Sequence, residues 1–216
     1  MKRASRAELA RDVSRRVRQA LFDAVMSLGG GGDTRADEPA LTVERACPAL
    51  APALLVAAHP GGEAARADMR ALYERCLARY RQVSRTEQAD AGVDDVGAAV
   101  AHFVAANMQA LHGEPATPPM LLRLERQLAG VVRSSATWAS ASERERQIYF
   151  EKMAILAVLI GETSARAMLQ GPAAVANVKR AARGYLHDLL GLDPDHLALG
   201  IDGLAMRPVD SGAVSA

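Results

Sequence analysis

The feature that most constrains this chain is an eight-residue apolar run, Met153 to Ile160, inside a longer segment with clear ends. Ser142-Glu-Arg-Glu145 ahead of it has the form of a capping box. Gly171-Pro172 behind it stops a helix and starts another. A helix over 143–170 that is apolar on every side for two turns must be surrounded by other elements, which places it at the centre of a bundle. The remaining segments read the same way. Met69, Leu72, Tyr73, Cys76, Leu77, Tyr80 and Val83 recur at helical spacing, with Arg66, Arg70, Glu74, Arg81 and Arg85 opposite them.

Asp94 can cap the next helix, with Asp95 in its first turn, and Val96, Val100, Phe103, Val104 and Leu111 form its buried side up to Gly113. Thr117-Pro118 opens a helix carrying Leu121, Leu124, Leu128, Val131 and Val132. The small, polar stretch Ser134–Ser142 around Trp138 reads as a loop. Val175, Val178, Ala182, Tyr185, Leu186, Leu189 and Leu190 mark a last long helix, ended by Gly191, and Asp193-Pro194 starts one more turn. Small residues at Gly97, Ala101 and Ala105 and at Ala157, Gly161 and Ala165 make the 94–113 and 143–170 helices neighbours. On that reading a leucine at Gly161 overpacks the contact.

The expected fold is therefore all-α: a single compact bundle of about five or six helices with a basic N-terminal helical arm. Aromatic residues make up only 4% and no run alternates apolar with polar, which argues against a sandwich or barrel. Four segments follow. Residues 1–28 form a basic amphipathic helix behind a Ser5–Glu8 capping box, with Leu9, Val13, Val17 and Leu21 on one face. Residues 29–61, with Gly29–Gly32 and Pro39, Pro48, Pro52 and Pro60, read as a Gly/Pro-rich linker or a loosely packed crossing segment, with room only for short helical turns. Residues 62–204 are the bundle domain, and 205–216 a flexible tail.

Function is much less visible. Lys+Arg and Asp+Glu nearly cancel at 26 and 25, which excludes a strongly basic nucleic-acid coat. Residues 1–27 nonetheless hold seven Lys/Arg against three Asp/Glu, and Arg11, Arg15 and Arg18 share one face. That face can meet phosphates or an anionic membrane surface, but Glu8 and Asp12 interrupt it, and a solvated face is the preferred reading. The Gly/Pro-rich segment that follows leaves no recognition helix, so a small helical repressor does not fit. The opening residues lack the apolar stretch of a signal peptide, and the chain lacks about 20 consecutive apolar residues for a transmembrane span. A soluble, cytoplasmic protein is expected, with a periplasmic or secreted location the alternative if the chain starts elsewhere. Cys47 and Cys76 form no CxxC and no metal spacing; two unpaired thiols are preferred to a disulfide.

No catalytic, cofactor-binding or metal-binding residue is assigned. Glu-x-x-His, HExxH, GxSxG, Walker and GxGxxG patterns are missing, and His102 and His112 fall on different sides of their helix. Asn107, one turn after Phe103 on an uncharged helix, is either a pocket-lining amide or a buried amide bonded to a neighbouring loop, the latter preferred. His187, Asp188, Asp193, Asp195 and His196 cluster in sequence, and helix-end roles account for them better than a metal does. Tyr149, Glu151 and Lys152 carry acid–base chemistry in principle, yet an ordinary boundary between core and solvent is expected there.

The segments DDVGAAVAHFVAANMQALHG from Asp94, RQ-x-YFEKMAILAVLIGETSARA from Arg146 and LLGLDPDHLALGIDGL from Leu189 resemble a bacterial all-helical family of unknown function. The resemblance implies a compact helical domain, and export with a cleaved leader in many members. This chain departs from that pattern in its basic opening helix. The family supplies no activity, cofactor or site residue. The leading expectation is a non-catalytic interaction or accessory protein that meets another protein or a second copy of itself. A ligand-binding or enzymatic pocket within the bundle comes second, and a nucleic-acid binder using residues 1–28 third.

Overall fold

The computed structural model describes residues 41–45, 48–57, 60–84 and 93–207. The basic segment 1–28, its capping box, Cys47 and residues 208–216 lie outside them. In chain order the elements are β1 (Thr42–Glu44), α1 (Ala51–Ala57), α2 (Glu63–Val83), β2 (Val93–Asp95), α3 (Val96–His112), α4 (Pro118–Ser134), α5 (Ala136–Ser140), α6 (Glu143–Gln170) and α7 (Pro172–Leu190). A 3₁₀ turn (Pro194–His196) then leads into the hairpin β3 (Leu197–Gly200) and β4 (Gly203–Met206). Over the described residues the protein is mostly helical, with two small two-stranded sheets.

Helix α6 has the bounds its local signals dictate. The Ser142 backbone N–H donates to Glu145 Oε2 at 2.8 Å and the Glu145 N–H to Ser142 Oγ at 3.3 Å, which closes the capping box. The hydroxyl and backbone donors of Ser142 hold the Glu145 carboxyl below its usual range. At the other end Gly171 turns the chain at φ 105°, a conformation other residues rarely adopt, and Pro172 starts α7. α6 packs along α3, α2 and α7.

The most enclosed helix is α3 rather than α6. Twelve of its 17 residues are buried, because α4, α6 and α7 cover it on three sides. α3 and α6 are direct neighbours, as their small residues predict, but Gly161 takes no part in the contact. It is exposed, and an added Cβ there meets nothing within 4 Å. The tight approach is at Gly97, where a Cβ falls 3.0 Å from Ala129 Cβ on α4 and 3.2 Å from Leu41 Cδ1. The overpacking expected at Gly161 therefore belongs at Gly97.

Several other expectations change. The described part of the 29–61 stretch is packed. β1 pairs antiparallel with β2, with Val43 opposite Asp94, and Leu41, Val43 and Ala51 are buried in the core. The partners of this segment come from far along the chain, so its own composition does not reveal them. Asp95, not Asp94, caps α3, accepting from Ala98 N at 2.9 Å. Ser134–Ser142 contains α5, with Trp138 buried and Ser135 capping. Val83, at the end of α2, is exposed, while Arg81 turns inward.

The hairpin within 197–206 leaves no helical signature and takes in Ala205 and Met206, placed in the tail by their composition. A side chain anchors it: Gln127 on α4 donates from Nε2 to Leu204 O at 2.9 Å and accepts from Leu204 N at 2.8 Å. The amide thus pairs with the β4 backbone as a neighbouring strand would.

Candidate functional site

The densest buried polar arrangement lies where β1, α1, α2 and β2 meet the N-terminal half of α6. Glu151 is fully buried, on the same face of α6 as Phe150, Ala154 and Ile155. A carboxylate in such a position must be fully bonded to be tolerated. Its Oε2 accepts from the backbone N–H groups of Leu50 and Ala51, both at 2.7 Å, where α1 begins. Its Oε1 accepts from Gln147 Nε2 at 3.0 Å and stands 3.7 Å from Arg81 Nη2. Glu151 therefore supplies the cap that the sequence of α1 does not carry.

Arg81 links this carboxylate to a second one. It donates to Asp94 Oδ2 from Nη2 at 2.7 Å and from Nε at 3.2 Å, while Arg45 Nε donates to Oδ1 at 2.7 Å. The Arg81 guanidinium also lies 5.8 Å from the centre of the Phe150 ring. Beside it, Tyr80 Oη meets His102 Nδ1 at 2.9 Å, and the Tyr80 ring stands edge-on to His102 and Phe150. Burial pushes the Tyr80 hydroxyl far above its usual range and the His102 imidazole below its own. A neutral His102 beside a protonated Tyr80 follows. Every carboxylate oxygen in the network has a protein partner, so the arrangement holds five segments together and presents no free base.

The residues singled out from sequence are dispersed. Asn107 is fully buried, but its Nδ2 donates to Phe103 O at 2.8 Å within its own helix rather than to a loop, and its Oδ1 has no partner. His112 faces Arg207, whose Nη2 lies 3.1 Å from Nδ1, on a different side of α3 from His102. Burial and the Arg207 charge lower its pKa. Asp193 caps the 3₁₀ turn, whereas Asp195 pairs with Arg183 at 2.9 Å through both oxygens, which lowers the Asp195 pKa. His187 and Asp188 are exposed. Among the described residues no three His, Cys, Asp or Glu side chains gather as metal ligands do.

The boundary expected at Tyr149, Glu151 and Lys152 fails for Glu151, which lies in the core, and holds for half-exposed Lys152. Tyr149 keeps a buried, unpartnered hydroxyl, its pKa pushed up to about 12 by burial. The signal for Glu151 was present: a Gln147–Glu151 pair at i, i+4 spacing inside an apolar stripe requires buried partners. Cys76 is a buried thiol, its pKa raised chiefly by that burial. By length and hydropathy α6 can cross a membrane, but the core helix of a folded domain meets the same test.

No curated protein and no solved structure matches the chain. A family model described as "Family of unknown function (DUF6683)" matches residues 5–207, taking in both the basic opening segment and the hairpin. The chain belongs to that family.

Proposed function

We propose that this chain is a non-catalytic helical interaction protein that associates with a second copy of itself through one end of the bundle. The observation that carries the reading is the last stretch of α6. Met168 is 76% exposed and Leu169 90%, adjacent apolar side chains at a helix end where only Ala167 is buried. α7 starts at the same end, after Gly171, and α2 runs alongside α6, with Arg79 paired to Glu162 at 3.2 Å. No residue between Glu63 and Leu72 is fully buried. Exposed apolar groups side by side on a thinly packed end are what an association face presents. A net charge of only +1 puts little repulsion in the way of self-association.

Sedimentation velocity over a wide concentration range tests the association. A monomer–dimer equilibrium is expected, lost in the double variant Met168→Ser, Leu169→Ser without a lower melting temperature. A wild-type protein that stays monomeric throughout overturns the proposal.

A further inference from the structure

A second polar cluster lies apart from both the carboxylate network and the exposed helix end. It comprises Trp138 on α5 with Arg146 and Tyr149 on the first turns of α6. Arg146 Nη2 donates to the carbonyls of Trp138 at 2.9 Å and Ala139 at 3.2 Å, and its guanidinium sits 5.0 Å from the centre of the indole ring. The Trp138 and Tyr149 rings are 6.5 Å apart at 61°. Trp138 is only 6% exposed. Each of the three residues keeps one buried polar atom without a hydrogen-bond partner: Trp138 Nε1, Arg146 Nε and Tyr149 Oη.

Folded proteins leave few such atoms, and here all three belong to side chains that meet around one indole ring, with Arg146 and Tyr149 each lying against Trp138. Their chemistry specifies the partner they lack. The indole and guanidinium N–H groups only donate, and the phenol can donate, so the missing group is an acceptor. The arginine makes an anionic acceptor the favourable one. There is one cation in the cluster and three donors, which suits a singly charged carboxylate; phosphate would bring more charge and more oxygens than the cluster can satisfy. The two rings supply apolar walls for a short organic chain.

We propose that Trp138, Arg146 and Tyr149 form a binding site for a small carboxylate. Entry requires α5 to shift, because the three atoms are shielded from solvent. α5 is suited to that movement: five residues long, it is flanked by Ser134 and Ser135 on one side and by Ala141 and Ser142 on the other. The site is independent of the association face at Met168 and Leu169, so either proposal can fail without the other.

Trp138 is the only tryptophan, so its emission and its single indole N–H resonance report on the site in the full-length protein. Titration with acetate and propionate is compared with chloride at matched ionic strength and with inorganic phosphate. A saturable carboxylate-specific change in emission is expected, together with a downfield shift of the indole N–H and a higher melting temperature. Tyr149→Phe, which removes one donor, weakens binding about three- to tenfold. Arg146→Lys keeps the charge but loses the Nε–H, and weakens it similarly. If the variants fold poorly, the wild-type indole resonance still decides. An N–H signal that no carboxylate moves means the cluster holds water alone and overturns the proposal. An equal response to chloride or phosphate does so too, as does undiminished binding by Tyr149→Phe.

Discussion

The two halves of α6 share one uninterrupted helix and live in different environments. Over residues 143–160 the helix buries Gln147, Phe150, Glu151, Met153, Ala154, Ile155, Ala157 and Ile160, whereas over 161–170 it buries only Ala167. The first half carries the apolar run Met153–Ile160, yet the second still holds Met168 and Leu169, which are as apolar as Met153 and Leu156. The difference lies in what the rest of the chain brings. The first half receives β1 and α1 in addition to the neighbouring helices, and meets α5 through Arg146 and Tyr149 against Trp138. Glu151 is the device that holds α1 there. A charged residue thus marks the better-packed half, because a buried carboxylate can persist only where several segments converge on it.

The sharpest way to break this comparison is to remove one glutamate from each half. Glu151→Ala strips the acceptor from Leu50 N, Ala51 N and Gln147 and leaves Arg81 with one carboxylate partner fewer. A loss of roughly 3–5 kcal/mol is expected. Glu162, whose side chain is 37% exposed and pairs with Arg79 at 3.2 Å, should cost no more than about 1 kcal/mol on the same substitution. Urea unfolding at neutral pH measures both. Equal losses would mean that Glu151 does not hold the α1 segment in place.

The glycines sharpen the same contrast at smaller amplitude. Gly97→Val forces a side chain against Ala129 and Leu41, for an expected loss of roughly 1–3 kcal/mol. Gly161→Ala enters open space on an exposed helix face and is expected to gain about 0.5–1 kcal/mol from helix propensity alone. Thermal melts of the two variants should therefore move in opposite directions. A loss at Gly161 would show that the second half of α6 is covered more closely than its exposure indicates.

What the sequence reveals follows the range of each signal. The capping box at Ser142, the Gly171-Pro172 junction and the stops at Gly113 and Gly191 are local, and the helices between them are legible to within a residue or two. The stripe Leu124, Leu128, Val131 and Val132 is legible for the same reason. Pairings over distance leave no such trace. β1 looks like linker because its partner strand lies some 50 residues on, and Arg81 looks like surface because nothing near it in sequence announces Asp94 or Glu151. The hairpin depends on Gln127, a helix residue with no strand character. At the candidate ligand cluster, Trp138 and Tyr149 are legible as aromatic residues, but their unpartnered atoms exist only once α5 is folded against α6.

The smallest expected effect is a pH dependence, and it bears on the better-packed half. His102 lies against Tyr80, which stands edge-on to Phe150, and burial lowers the His102 pKa below 6.5 in the folded protein. The groups facing it add no carboxylate partner, so the folded state keeps this imidazole neutral while the unfolded chain can protonate it. The unfolded state therefore binds more protons as the medium is acidified, and stability present above pH 6.5 is lost as pH falls from there through the lower folded-state pKa. His112 is shifted the same way, through burial and Arg207, and adds to the slope. Measured from neutral to mildly acidic pH, unfolding free energy should decline in the wild type and decline less in His102→Gln. An identical slope in the two proteins would assign the acid sensitivity to His112 and to the end of α3, away from the network that anchors α6.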